Sequence, residues 1–132
     1  MKRAAREWIE KAEADFISAG REYRARKKPN FDAACFFAQQ CAEKYLKACL
    51  VQNDQPAPRI HDLSALLDLV LPFQPSWEML RPGLDTLSSY AVVFRYPGES
   101  ATRAMAKEAV GLVKKIRLQM RRDLRLLEDD SK

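Results

Sequence analysis

His61, the single histidine of the chain, stands directly before Asp62, and this pair is a candidate for acid–base chemistry. An imidazole changes charge near neutral pH, so it can act as a general base or contact a ligand. The pair also suits a helix start, where Asp62 would cap the first turn and the ring would bond to backbone or to Asp62. No nucleophile-elbow sequence accompanies the pair, so both roles stay open.

Arg95 and Tyr96 form a second candidate, because they precede Pro97-Gly98 in a predicted connection. A guanidinium and an aromatic ring can hold an anion or a nucleobase. In the structural alternative, Tyr96 packs and Arg95 pairs with a carboxylate such as Glu43 or Glu99. The chain has no P-loop, no Gly-x-Gly-x-x-Gly and no ordered carboxylate set for magnesium. We therefore expect no metal and no cofactor, and any nucleotide would be held by cationic and aromatic side chains.

Residues 31–50 read FDAACFFAQQCAEKYLKACL, and they predict a helix with two unlike faces. On a helical wheel, the core face holds mostly small residues, namely Phe31, Ala34, Cys35, Ala38, Cys41, Ala42, Tyr45, Leu46 and Cys49. The opposite arc holds Phe36, Gln40, Glu43 and Lys47, flanked by Phe37 and Lys44. Since burying a phenylalanine ring yields about 1.5–3 kcal/mol, something should cover Phe36 and Phe37. The cover is another helix, a second copy of the chain, or a ligand.

Composition predicts an all-α protein. The chain has 132 residues, 47% of them hydrophobic and only 4 of them glycine, and it is rich in Ala, Leu, Arg, Lys and Glu. It contains no run of about 18 apolar residues that would predict a membrane span, and its start lacks a signal-peptide core. These features predict a cytoplasmic location. The spacing of Cys35, Cys41 and Cys49 fits no zinc pattern, so we expect reduced core thiols.

The chain has a net charge of +5, and many of its basic residues lie in two clusters. The first contains Arg21, Arg24, Arg26, Lys27 and Lys28, and the second contains Lys114, Lys115, Arg117, Arg121, Arg122 and Arg125. Cations are common at helix C-termini and on solvated faces. The alternative is a weak footprint for an anion or RNA.

Apolar residues at three- and four-residue spacing predict helices over about 2–26, 31–52 and from Ser100 to about Leu127. A short helix begins at His61-Asp62, and a fourth, capped by Ser76, is interrupted at Pro82-Gly83. This pattern predicts an up-and-down antiparallel bundle of four to five helices. We expect residues 1–132 to form one domain, with residues 127–132 as a frayed tail.

Three segments of the chain resemble the HEPN domain family (higher eukaryotes and prokaryotes nucleotide-binding). The first reads Phe31-Asp32-x-Ala34-x-Phe36-x-Ala38-Gln39-Gln40-x-Ala42-Glu43-Lys44-x-Leu46-Lys47-Ala48-x-Leu50. The others are Arg59-x-His61-Asp62-Leu63-x-x-Leu66-Leu67 and Tyr90-x-x-x-x-Arg95-Tyr96-Pro97. The resemblance extends over about residues 8 to 125.

The resemblance implies a helical homodimer, often paired with a separately encoded minimal nucleotidyltransferase in a toxin–antitoxin module. Nucleotide binding has been proposed for the family, and many members are metal-independent ribonucleases with an Arg-x(4–6)-His motif. This chain departs from that motif, because no arginine stands five to seven residues before His61. It also lacks Gly-Ser and Asp-x-Asp, so it does not resemble the transferase itself.

We therefore predict a non-catalytic dimeric module that binds a nucleotide, an RNA or the transferase. The predicted dimer contacts are Phe36, Phe37 and Gln40. The predicted ligand-binding residues are Arg95, Tyr96, Lys44, Lys47 and His61, lining one groove. The alternative is a ribonuclease toxin with a degenerate active site.

Overall fold

The computed structural model describes residues 1–94 and 96–126, and this part of the chain is helical without any strand. The helices are α1 (Arg3–Arg24), α2 (Phe31–Gln52), α3 (Leu63–Val70), α4 (Arg81–Val93) and α5 (Arg103–Asp123), with a 3₁₀ helix at Pro75–Leu80. The predicted all-α fold is confirmed. The predicted frayed tail at 127–132 lies outside the described residues. None of the described helices is long and apolar enough to cross a membrane.

Side-chain caps fix the starts of three helices. Asn30 Oδ1 accepts from the amide of Ala33 at 2.9 Å, and Asp62 Oδ1 accepts from Ser64 at 3.0 Å. The predicted capping role of Asp62 is therefore confirmed. Thr102, and not Ser100, caps α5, where its hydroxyl accepts from the amide of Met105 at 3.2 Å. Two hydroxyl residues stand close together there, and the cap is the one directly before the first helical residue.

The segment before α4 corrects a second prediction. Ser76 caps no α-helix, because Pro75–Leu80 forms a 3₁₀ helix that begins without a side-chain cap. Pro82 does not interrupt a helix but lies in the first turn of α4, where its missing N–H removes no helical hydrogen bond.

Contacts along the helices define their directions. Lys2 contacts Gln52, whereas Tyr45 contacts Glu13, so α1 and α2 are antiparallel. Phe31 contacts Arg103 and Tyr45 contacts Arg121, so α5 runs parallel to α2. The pairs Leu63–Ser88 and Asp68–Arg81 make α4 antiparallel to α3. The predicted antiparallel helical bundle is thus confirmed, with α5 as an additional helix that runs parallel to α2 and antiparallel to α1.

Helix α2 lies at the centre, in contact with α1, α3, α4 and α5. Its cysteines and all its alanines except Ala33 are almost fully buried and allow close approach of the neighbouring helices. All three cysteines are unpaired and buried, as predicted. Burial raises the pKa of both Cys35 and Cys49 to about 11. These thiols therefore act as small core residues.

A polar cluster around Glu13 joins α1, α2 and α5. The Glu13 carboxylate accepts from Arg117 Nε at 2.7 Å and from the Tyr45 hydroxyl. Arg121 Nη1 donates to the same hydroxyl at 3.0 Å. Arg117 and Arg121 of the second basic cluster thus serve internal structure.

Candidate functional site

The Glu43 carboxylate lies inside the bundle at the middle of α2, with a side chain only 4% exposed. It accepts from Gln39 Nε2 at 3.2 Å and from Lys47 Nζ at 3.1 Å. His61 Nδ1 lies 3.1 and 3.2 Å from its two oxygens. One buried anion therefore has three partners, which is what a charge in the interior requires.

Glu43 and Lys47 correct the two-faced picture of α2. The wheel placed both residues on an open arc, but the side chain of Lys47 is only 6% exposed and its ammonium lies 5.6 Å from the centre of the Trp8 ring. The reason is that neighbouring helices surround α2, so its polar arc is covered by α1 and by the segment before α3. The i,i+4 pair predicted from sequence exists, but as a buried pair.

The connection between α2 and α3 brings His61 to this carboxylate. Residues 53–62 turn back along α2, so α3 starts beside the middle of α2 and not beyond its end. Gln39 Nε2 fixes the return by donating to the carbonyl oxygen of His61 at 3.0 Å. Although its Nδ1 contacts the buried Glu43, the His61 side chain is 68% exposed to solvent.

His61 forms the edge of a cleft of about 430 Å³ between α2 and α4. The lining residues are Gln39, His61, Asp62, Asp85, Ser88, Ser89, Ala91 and Val92. The antiparallel pairing of α3 and α4 places these groups together, and Ser88 Oγ accepts from the amide of Leu63 at 3.2 Å. The cleft combines a histidine, two carboxylates and two hydroxyls with one apolar wall.

An aromatic groove of about 340 Å³ adjoins the cleft and shares Ala91 with it. Its lining residues are Asn30, Asp32, Ala33, Phe36, Phe37, Tyr90, Ala91 and Phe94. Phe36 and Phe37 meet edge to face at 5.6 Å, and Tyr90 stacks on Phe94 at 5.8 Å. Phe36 remains 38% exposed, whereas Phe37 packs against the core of its own chain.

Among the predicted ligand-binding residues that the structure describes, His61 lines the cleft, whereas Lys44, Lys47 and Tyr96 do not. Lys44 pairs with Asp15 of α1, and Lys47 pairs with Glu43 inside the bundle. Tyr96 follows α4 and is 63% exposed, so its ring is not part of the core as the structural alternative required. Arg95 lies outside the described residues, as does any contact that it makes.

Gln40, a predicted dimer contact, is partly buried and donates to Gln39 Oε1 at 2.8 Å. It therefore belongs to the same hydrogen-bonded chain as Glu43 and His61.

Sequence reasoning missed both the His61–Glu43 contact and the presence of Asp85 and Ser88 in the cleft. The separations of these residues along the chain carry no periodic signal. They meet only because the loop before α3 turns back along α2 and because α4 then packs beside the start of α3.

The described residues include no group of three or more His, Cys, Asp or Glu side chains arranged to hold a metal ion. The chemistry visible in the cleft is that of hydrogen-bond donors and acceptors. A buried carboxylate sets the orientation of one exposed imidazole, and the carboxylates of Asp62 and Asp85 make the surroundings negative.

Two comparisons relate the chain to known proteins. The family model described as HEPN domain matches residues 5–122. A solved structure, the crystal structure of TT1696 from Thermus thermophilus, is 27% identical, with a TM-score of 0.77. The match covers 92% of this chain and 99% of that one. No curated protein matches the chain.

Proposed function

Because the chain belongs to the HEPN domain family, we propose that it is a non-catalytic, dimeric cytoplasmic module that binds a nucleotide or RNA. In this proposal it also binds a minimal nucleotidyltransferase, as part of a toxin–antitoxin system. The observation that carries the proposal is the aromatic groove, which is lined by Phe94 at the end of α4 and shares Ala91 with the His61 cleft. Aromatic stacking surfaces and cationic side chains are the groups that can hold a nucleotide without a P-loop.

In this proposal, Lys44 and Lys47 act on the ligand indirectly. Lys47 neutralises Glu43, which in turn orients His61, and Lys44 ties α2 to α1 through Asp15. Direct contact falls to His61 and Tyr96, which are exposed, and to Arg95.

Calorimetry with ATP and with a short RNA tests ligand binding. We expect Arg95→Ala to weaken binding, and added salt to weaken it in the wild type, because exposed charges interact over about 8 Å at physiological ionic strength. Tyr96→Ala should weaken binding with little loss of stability, because the ring is already exposed. Arg3→Ala, an exposed arginine at the start of α1, is the matched control. Equal affinities for wild type and Arg95→Ala would contradict the proposal.

Dimer formation is proposed through the exposed apolar strip of α2 and α4. The strip contains Phe36, Val92 and Val93, with Phe37 and Gln40 beside it. An isologous interface would place the strip of one copy on that of the other and remove it from water. Light scattering should show a wild-type dimer and a monomeric Phe36→Glu variant. Ile17→Glu, on an exposed apolar residue of α1, should leave the dimer intact.

A residual ribonuclease activity is the second candidate function. One observation favours it, namely an exposed imidazole oriented by a buried carboxylate, which is an arrangement that general bases use. Incubating labelled RNA with the protein, with and without EDTA, separates the candidates. Cleavage that resists EDTA and is lost in His61→Gln would establish the ribonuclease. Intact RNA that still binds supports the non-catalytic module.

The proposed transferase partner is tested by co-purification. A neighbouring reading frame with Gly-Ser and Asp-x-Asp motifs supplies the protein to be co-expressed. Stable co-elution that is lost in Phe36→Glu would show that the partner depends on the apolar strip, either directly or through the dimer. Co-elution that persists in this variant would place it elsewhere.

A further inference from the structure

The hydrogen-bonding character of the His61 cleft differs from that of a phosphate site. We propose that the cleft binds the uncharged nucleoside part of the ligand, through that part's hydroxyl and amino donors, and excludes phosphate. This inference rests on the proposed function in taking the ligand to be a nucleotide. It assigns the two ends of that ligand to different parts of the surface.

The first step is the proton arrangement of His61. Glu43 is ionised beside the ammonium of Lys47, so its carboxylate only accepts hydrogen bonds. His61 Nδ1, 3.1 Å away, must then carry the proton that it donates to Glu43. In the neutral ring, Nε2 is left with a lone pair, and the exposed side of the ring offers an acceptor to the cleft.

The second step is the set of remaining polar groups. Asp62 and Asp85 line the cleft with carboxylates, and each offers oxygens that only accept. Asp62 uses one oxygen to cap α3, and both carboxylates are exposed. A ligand that satisfies these two carboxylates must therefore bring donors, as ribose hydroxyls and an exocyclic amino group do.

The third step is charge. Asp62 and Asp85 make the cleft lining negatively charged. Glu43 and Lys47 add no net charge beside it, because they neutralise each other. Placing a phosphate beside two carboxylates is strongly unfavourable, as like charges are when they are brought together at interfaces. The phosphates would instead lie outside the cleft, away from Asp62 and Asp85.

The fourth step is shape. A volume of about 430 Å³ falls within the range of roughly 300–1,000 Å³ that small-molecule sites occupy. Ala91 supplies an apolar wall for the face of a base. The cleft is thus large enough for a base with its sugar.

Calorimetry of the full chain with adenosine, ATP and inorganic phosphate tests the inference. We expect adenosine to bind and to compete with ATP, and inorganic phosphate not to displace it. Asp85→Asn should weaken adenosine binding about fivefold, because a hydrogen bond to a charged acceptor is about twice as strong as a neutral one. His61→Phe should weaken adenosine binding by at least as much. Glu10→Gln, on an exposed carboxylate of α1, is the control and should change nothing.

Two results would overturn the inference. The first is displacement of adenosine by inorganic phosphate. The second is unchanged adenosine affinity in both Asp85→Asn and His61→Phe. If ATP binding then still depends on Arg95, the nucleotide-binding function survives and only the nucleoside assignment fails. If neither ATP nor RNA binds the wild type, the proposed function fails as well.

Discussion

Replacing Lys47 by methionine probes the buried network most directly. Methionine keeps the apolar stem of lysine but removes the ammonium that neutralises Glu43. The carboxylate, 4% exposed, would retain Gln39 and His61 as donors and lose its buried cation. The variant therefore isolates the value of one buried charge.

The expected loss follows from the burial of both partners. Removing one member of a buried ion pair costs about 3–5 kcal/mol, because the remaining charge is left uncompensated. Two donors remain for Glu43, which favours the lower end of that range, about 3 kcal/mol. A typical domain has a free energy of unfolding of only about 5–15 kcal/mol, so the loss would be easy to measure.

Urea unfolding of four proteins measures the effect. They are the wild type, Lys47→Met, the double variant Glu43→Gln/Lys47→Met, and Lys44→Met. The double variant should recover most of the loss, because no unpaired charge remains. Lys44→Met should cost about 1 kcal/mol or less, because the Lys44–Asp15 pair is partly exposed.

The pattern across these variants decides the matter. A loss below about 1 kcal/mol in Lys47→Met would mean that solvent reaches Glu43, since exposed pairs contribute only that much. A double variant less stable than Lys47→Met would likewise refute the reasoning. It would show that the unpaired charge of Glu43 is not what destabilises the single variant.

Three further predictions concern stability and reactivity. Burial by itself raises the pKa of Glu13, but hydrogen bonds from Arg117 and Tyr45 outweigh it and hold the pKa below its ordinary 4.5. Glu13 therefore stabilises the fold above pH 4.5 and loses this contribution as the pH falls through the lowered pKa, so Glu13→Gln should flatten acid unfolding curves in that range. The three buried cysteines should react with a thiol reagent at pH 8 only after urea is added, and fast reaction of the native protein would contradict their burial. Asp32→Ala should cost about 1 kcal/mol in thermal unfolding, because Asp32 Oδ1 accepts from the amide of Ala101 at 2.6 Å.

The helices could be predicted because their signals are local. The apolar spacing predicted α1, α2 and α5 to within a few residues at each end, and it gives α5 its core face. The choice between Ser100 and Thr102 could not be made locally, because both have a hydroxyl that can cap. Nor could the burial of Glu43 and Lys47, because a wheel assumes one open side and α2 has neighbours on nearly all sides.

The candidate site could be predicted only in part. His61 and Asp62 were evident as polar residues before an apolar helix, and Asp62 does cap α3. The partner of His61 lies 18 residues away, at a position fixed by the backward course of the loop and by the Gln39 amide. No periodic pattern encodes that course, so the network had to be found in three dimensions.

The Glu43–Lys47 pair also constrains how the sequence can drift over generations. A single substitution at either position leaves an uncompensated charge inside the bundle, so each one-step path passes through a poorly stable protein. Relatives are therefore expected to inherit the pair whole or to replace both positions with neutral residues. Because Glu43 also orients His61, lineages that lost the pair should have changed position 61 as well, and the three positions should vary as one unit.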